Sequence, residues 1–152
     1  MIGRRLLLGA VPAALLIEGC GGPPAPPVVD LTIRANSDIN PNPMGTPVSV
    51  AVRFYSLTAR GRFESADVYA LIQREVQTLG TESVGSEEVV VRPGETRKVT
   101  LMPKPGVRFV GIAVMFRDID RAQWRMVAPI AESGLTRLAI SISGNRAALV
   151  ST

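Results

Sequence analysis

The chain has 152 residues, a formal net charge of +4, one cysteine and no histidine. A lone cysteine excludes an intrachain disulfide, and the missing histidine removes Cys/His zinc sites and the usual serine and cysteine triads. Arg34, Arg53, Arg74, Arg92, Arg108 and Arg137 stand singly, without the basic cluster and interleaved aromatics of a nucleic-acid binder, so no nucleic-acid partner is expected.

At the N-terminus, Arg4 and Arg5 precede an uncharged apolar run from Leu6 to Ile17. The run is shorter than the roughly 20 residues of a membrane span, and Pro12 would bend it. Cys20 then sits among Gly19, Gly21 and Gly22 and before Pro23, Pro24, Pro26 and Pro27, where neither helix nor strand forms. Ile17-Glu18-Gly19-Cys20 resembles the lipobox of bacterial lipoproteins, with Glu18 in place of the usual small uncharged residue. That resemblance implies cleavage before Cys20 and acylation of its sulfur and new amino terminus. Two or more acyl chains anchor stably, at ~0.8 kcal/mol per buried methylene. It also implies outer-membrane sorting, because Gly21 stands where inner-membrane retention signals carry aspartate. Residues 1–19 are therefore expected to be a signal peptide, residues 20–27 a lipidated cysteine on a stiff Gly/Pro tether, and residues 28–152 a single periplasmic domain.

Val28 to Ala35 alternates apolar Val29, Leu31 and Ile33 with polar neighbours, which predicts a half-buried strand. Asn36 to Pro47, with three prolines and no periodicity, reads as a long loop. Val48 to Leu57 is a second strand, with Val48, Val50, Val52 and Phe54 on one face. From Phe63 to Gly80 the period changes. Ala66, Tyr69, Ile72, Val76 and Leu79 predict one face of an amphipathic helix, N-capped by Ser65 and stopped by Gly80. Thr81 to Ser86 is irregular, Glu87 to Val91 a strand, Arg92 to Glu95 a tight turn and Thr96 to Met102 the returning strand. Arg108 to Phe116 is almost continuously apolar, as in a central strand covered on both faces. A turn at Asp118 to Arg121, strands at Trp124 to Ile130 and Thr136 to Ser143, a turn at Gly144-Asn145 and a short strand at Ala147 to Val150 complete the chain. About seven or eight short strands with one helical insertion define an all-β sandwich.

Chemistry is sparse. Gly80 to Gly85 shares glycine and serine with a nucleophile elbow but has the wrong spacing and no preceding strand. Asp118 and Asp120 flank apolar Ile119 rather than forming a calcium loop, and Glu87 and Glu88 are expected on opposite faces of a strand. No enzyme activity, metal or cofactor is expected.

Taken in order, Leu31-Thr32-Ile33, Ile39-Asn40-Pro41-Asn42, Gly45, Pro47, Val52 to Leu57, Phe63-Glu64, Ala66 to Tyr69, Leu71, Leu79-Gly80, Arg92 to Glu95 and Gly111 to Ile119 with Ala122, Trp124 and Arg125 resemble the outer-membrane lipoprotein family of the type VI secretion system (TssJ, or SciN). The resemblance implies a transthyretin-like, immunoglobulin-like β-sandwich anchored under the outer membrane. It implies a structural role: holding the periplasmic C-terminal domain of an IcmF-like inner-membrane component, which itself works with a DotU-like one. In that family the loop between the first two strands protrudes and contacts the large partner. The role carries over to Asn40, Pro41, Asn42, Pro43 and Met44, with Asn40 and Asn42 as hydrogen-bonding groups and Met44 as an apolar contact. As the loop lies outside the strand patterns, shortening residues 40–44 is expected to spare the fold. Phe116 and Trp124 are expected in the core or at its edge, and Arg117, Asp118 and Arg125 as a turn-fixing charge cluster. The alternative reading, a solute- or glycan-binding lipoprotein, requires an exposed aromatic platform. Tyr55, Tyr69 and Trp124 are too few for that and are expected to pack.

Overall fold

The computed structural model describes residues 19 and 21–152, so residues 1–18 of the expected signal peptide and the expected acylation site Cys20 lie outside the described residues. Eight strands follow from Pro27: β1 (Pro27–Ala35), β2 (Val50–Leu57), β3 (Ser83–Val91), β4 (Thr96–Leu101), β5 (Phe109–Val114), β6 (Arg125–Pro129), β7 (Gly134–Ser143) and β8 (Arg146–Val150). They form two four-stranded sheets, ordered β4-β1-β7-β8 and β3-β2-β5-β6. In the first, β1 runs antiparallel to β4 and parallel to β7.

The period-two pattern in the sequence is what builds the core. Val29, Leu31 and Ile33 of β1 and Ile140 and Ile142 of β7 meet Val52 and Phe54 of β2 and Ile112 and Val114 of β5 between the sheets. A second cluster forms on the outer face of the other sheet, where Tyr55, Leu57 and Ala113 lie under Phe63, Leu71 and Leu79 of the helical insertion. Strand β5 is thus covered on both faces, as its continuous apolar run requires. Gly111 makes this possible: a Cβ there would sit 3.0 Å from carbons of Leu57 and Phe63, so only glycine admits the Phe63 ring at this depth. Among the described residues, the buried residues of both clusters lie between Val29 and Ala147.

The insertion departs from expectation. Instead of one helix it is three short ones, α1 (Gly61–Ser65), α2 (Val68–Gln73) and α3 (Glu75–Leu79). Ala66 is extended, and Asp67 rather than Ser65 restarts the helix, its side chain accepting from the Ala70 N–H at 2.9 Å. Arg74 breaks the helical path again. Each break rotates the face, so Phe63, Val68, Ala70, Leu71 and Leu79 are buried while Tyr69, Ile72 and Val76 are exposed. Strand β3 is longer than expected because, as a mostly exposed edge strand, it shows little apolar alternation before Val89.

Strand directions give the sandwich two poles. At one, Pro27 pairs with Gly134, Val29 with Leu101 and Phe109 with Pro129, and the Gly134 N–H donates to Ala25 C=O at 3.2 Å. The tether leaves here. At the other, Ala35 enters the long loop beside the Arg92–Glu95 turn, whose Gly94 N–H donates to Asn36 C=O at 3.0 Å. The nine residues of β1 separate the poles by roughly 30 Å.

One buried polar atom stands out. Tyr55 is fully buried, its ring 5.2 Å from that of Phe63, and no partner reaches its hydroxyl. Burial pushes the Tyr55 phenol above its ordinary 10.0, with the Arg53 charge pulling the other way. The folded state therefore prefers the neutral phenol. Its contribution to stability is complete below about pH 10 and lost as pH rises through the raised folded value. Tyr55→Phe keeps the ring and deletes the unpartnered hydroxyl, so it should raise stability at neutral pH by about 1 kcal/mol and flatten the alkaline loss. Urea unfolding of both proteins at neutral and alkaline pH checks this; a Tyr55→Phe protein less stable at neutral pH would contradict it.

Candidate functional site

The expected partner-binding loop is a built object at the pole opposite the tether. Pro41 and Pro47 bridge its two sides, and the Asn42 N–H donates to Thr46 C=O at 2.8 Å. The Asn42 Oδ1 accepts from the Met44 and Thr46 N–H groups, both at 3.0 Å, and the Gly45 N–H donates to Asn42 C=O at 2.8 Å. Residues 41–47 thus form a small hydrogen-bonded finger. Pro43 is exposed on it, and Met44 at its tip is 90% exposed.

Asn40 does not belong to that contact group. It is only 2% exposed and lies in the left-handed region, with φ of 47°. Its Nδ2 donates to Ser49 C=O at 2.9 Å, its Oδ1 accepts from the Arg117 N–H at 2.8 Å, and its own N–H donates to Gly144 C=O at 2.9 Å. Both ends of the amide are spent inside the protein. Ile39 beside it is fully buried. The expectation that residues 40–44 can be removed without affecting the fold is therefore corrected: the loop's root is part of the core, and only its tip is free. Of the five expected residues, the structure keeps Pro41, Asn42, Pro43 and Met44 together on the finger.

Phe116 is buried in the main core, and Trp124 is half-buried where the two clusters meet. Arg117, Asp118 and Arg125 do not form the expected charge cluster, and none of them appears among the ion pairs of the described residues. Arg117 contributes its backbone N–H to Asn40. Asp118 contributes its carbonyl, which accepts from the Arg121 N–H at 3.2 Å and closes the turn. Arg125 lies over the Trp124 ring, 4.3 Å from its centroid, and its guanidinium donates to the carbonyls of Phe63, Glu64 and Ala66. These carbonyls sit where α1 ends, so Arg125 satisfies the groups that the helix break leaves open. Burial lowers the pKa of this guanidinium, and the Glu64 and Asp67 carboxylates oppose the shift.

Sequence reasoning missed a second exposed feature. Tyr69 and Ile72 of α2 are 55% and 41% exposed, so Tyr69 is not packed as expected. With Val68, Met115, Phe116, Arg117 and Ile119 they line a shallow groove of about 140 Å³. Arg117 is also held by Asn40, which places this groove beside the finger's root. No signal in the linear pattern marked it, because these residues read as a helix face turned inward.

Among the described residues, no group of three or more His, Cys, Asp or Glu side chains is placed to hold a metal ion, and no helix is long and apolar enough to cross a membrane. Glu88 is taken up by Arg53, 2.8 Å away across β2 and β3.

Fold and site together describe a scaffold: a two-sheet sandwich with a proline-stiffened finger at one pole and a Gly/Pro segment at the other. The profile described as "Type VI secretion lipoprotein, VasD, EvfM, TssJ, VC_A0113" matches residues 27–145, and the chain belongs to this family. The T6SS lipoprotein TssJ1 from Pseudomonas aeruginosa is 30% identical, with a TM-score of 0.78 over 84% of this chain and 96% of that one. A chain of a type VI membrane complex is 32% identical, with a TM-score of 0.74 over 82% of this chain and 98% of that one. A chain in the structure named for the T6SS protein TssM C-terminal domain from EAEC is 31% identical, with a TM-score of 0.70 over 82% and 98%. Among curated proteins none matches significantly.

Asn40→Ala should destabilise the domain by about 3 kcal/mol, because it strands the Ser49 carbonyl and the Arg117 N–H and puts a Cβ-bearing residue without a polar side chain in the left-handed region. Asn40→Gly relieves the backbone but not the lost bonds and should fall between the two. Denaturant unfolding measures both. A loss below about 0.5 kcal/mol for Asn40→Ala would show that the amide does not fasten the loop.

Proposed function

We propose that this protein is an outer-membrane-anchored structural lipoprotein of the type VI secretion membrane complex, acylated at Cys20. In this reading the finger at residues 41–47 binds the periplasmic C-terminal domain of the IcmF-like inner-membrane component, and through it the chain is linked to the DotU-like one. The observation that carries this reading is the placement of the tether and the finger at opposite poles of one sandwich. A chain anchored at one end and gripping at the other ties a periplasmic partner to a membrane without chemistry of its own. Family membership and the similar chains in a type VI membrane complex and in a structure named for the TssM C-terminal domain support the choice of partner.

The finger suits the task physically. Asn42 holds the loop in one conformation before any partner arrives, so little conformational entropy is left to lose on binding. Met44 offers a flexible apolar side chain that adapts to a shallow pocket. The groove at Tyr69 and Ile72 extends the same surface.

The double variant Pro43→Ser, Met44→Asp leaves Asn40 and Asn42 in place and should preserve the fold. It should weaken binding to the partner's C-terminal domain at least tenfold, about 1.4 kcal/mol. Calorimetric titration reads the affinity and circular dichroism the fold. Unchanged affinity in the folded variant would remove the finger from the interface.

The anchor is tested separately. Cys20→Ser should move the folded protein from the outer-membrane fraction to the soluble periplasm. Retention in the outer membrane without its partners would place the anchor elsewhere in the chain.

A further inference from the structure

Among the described residues, the outer face of the β4-β1-β7-β8 sheet carries no helical cover, unlike that of the other sheet. At its tether end three apolar residues fall in one rank, Val28 on β1, Leu135 on β7 and Met102 just past the end of β4. Val28 is in register with Leu135, and Leu101 opposes Val29, so Met102 falls beside Val28. Met102 is 77% exposed and Leu135 45% exposed. The ranks above carry Thr100, Asp30 and Arg137, then Lys98, Thr32 and the buried Ala139, two basic side chains against one acidic. Asp30 accepts from the Thr100 hydroxyl at 3.0 Å, whereas Lys98, Lys104 and Arg137 enter none of the ion pairs of the described residues. Lys98 and Lys104, the chain's only lysines, flank Met102.

We propose that this tether-end face is a membrane-contact surface for anionic phospholipid. The apolar rank Met102, Val28 and Leu135 enters the headgroup boundary, and Arg137 and Lys98 in the ranks above it, with Lys104 two residues beyond Met102, meet lipid phosphates. An apolar edge backed by basic side chains is the arrangement that adsorbs to anionic lipid. The occupant follows from where the chain leads. Gly21 to Pro26 separates Cys20 from β1, and at ~3.1 Å per residue this segment spans at most about 20 Å. An acyl group on Cys20 therefore keeps this pole next to lipid. A contact too weak to hold a free protein is sufficient once the tether makes it intramolecular. The inference rests on the acylated-Cys20 reading, and its test is built not to depend on cellular acylation.

Residues 20–152 are coupled through Cys20, the sole thiol, to a maleimide lipid in vesicles of phosphatidylcholine alone or with about 30% phosphatidylglycerol. An uncharged amine-acylating reagent then reads the two lysines by mass spectrometry. On phosphatidylglycerol vesicles Lys98 and Lys104 should react several-fold more slowly than on phosphatidylcholine. The protection should disappear at high salt and shrink in the Met102→Ser, Leu135→Ser variant. A lysine placed at the opposite pole by Met44→Lys should react equally on both vesicles. Equal rates for Lys98 and Lys104 on the two vesicles would overturn the proposal. So would equal slowing at the Met44→Lys position, or protection unaltered when the apolar rank is removed. Failure of the acylation reading alone appears instead as membrane retention of Cys20→Ser in cells.

Discussion

One buried amide fastens the finger end of this molecule. Asn40 bonds to Ser49 on its own loop, to Arg117 after β5 and to Gly144 after β7, so it joins segments from both sheets at a single point. A left-handed backbone with a fully used side chain is a costly arrangement that persists only where the surroundings fix it. Here it sets the angle at which the finger leaves the sandwich. Everything beyond it, from Pro41 to Pro47, is stiffened locally by Asn42 and globally by its neighbour two residues earlier. The finger pole is rigid because its root is core.

The helical insertion is held by the same economy. Helices of five or six residues do not persist alone in water, since so few hydrogen bonds cannot offset nucleation. They persist here because Phe63, Leu71 and Leu79 are buried on β2 and β5, and because Arg125 closes the first break. Arg125 reaches three carbonyls with one planar group while stacked on Trp124, a geometry that a lysine cannot reproduce. The Trp124-Arg125 pair therefore joins sandwich to insertion.

The strands were legible because one buried face imposes a period of two, and a sheet has no second way to satisfy it. Val29, Leu31 and Ile33, or Leu138, Ile140 and Ile142, allow one reading. The type VI lipoprotein family was legible in the same way, from pieces in fixed order around Gly111 to Trp124. The helical face was not. Ala66, Tyr69, Ile72 and Val76 fit a continuous helix, but periodicity assumes an unbroken axis, and the breaks at Ala66 and Arg74 reset it. Asn40 was misplaced for a related reason. A polar residue in a proline-rich loop reads as exposed, and only the carbonyls and N–H groups of distant segments reveal that it is buried. Arg125 looked like a partner for Asp118 because charges near in sequence suggest pairing, whereas its acceptors lie about sixty residues upstream.

The position of β1 has a mechanical meaning. Its first residue follows the Gly/Pro segment and its last leads to the finger, so any pull between these two ends runs along the strand itself. The covalent backbone of β1, already extended, carries that load, while ladders to β4 on one side and β7 on the other hold the strand in place. The strand that carries tension is the one clamped from both sides.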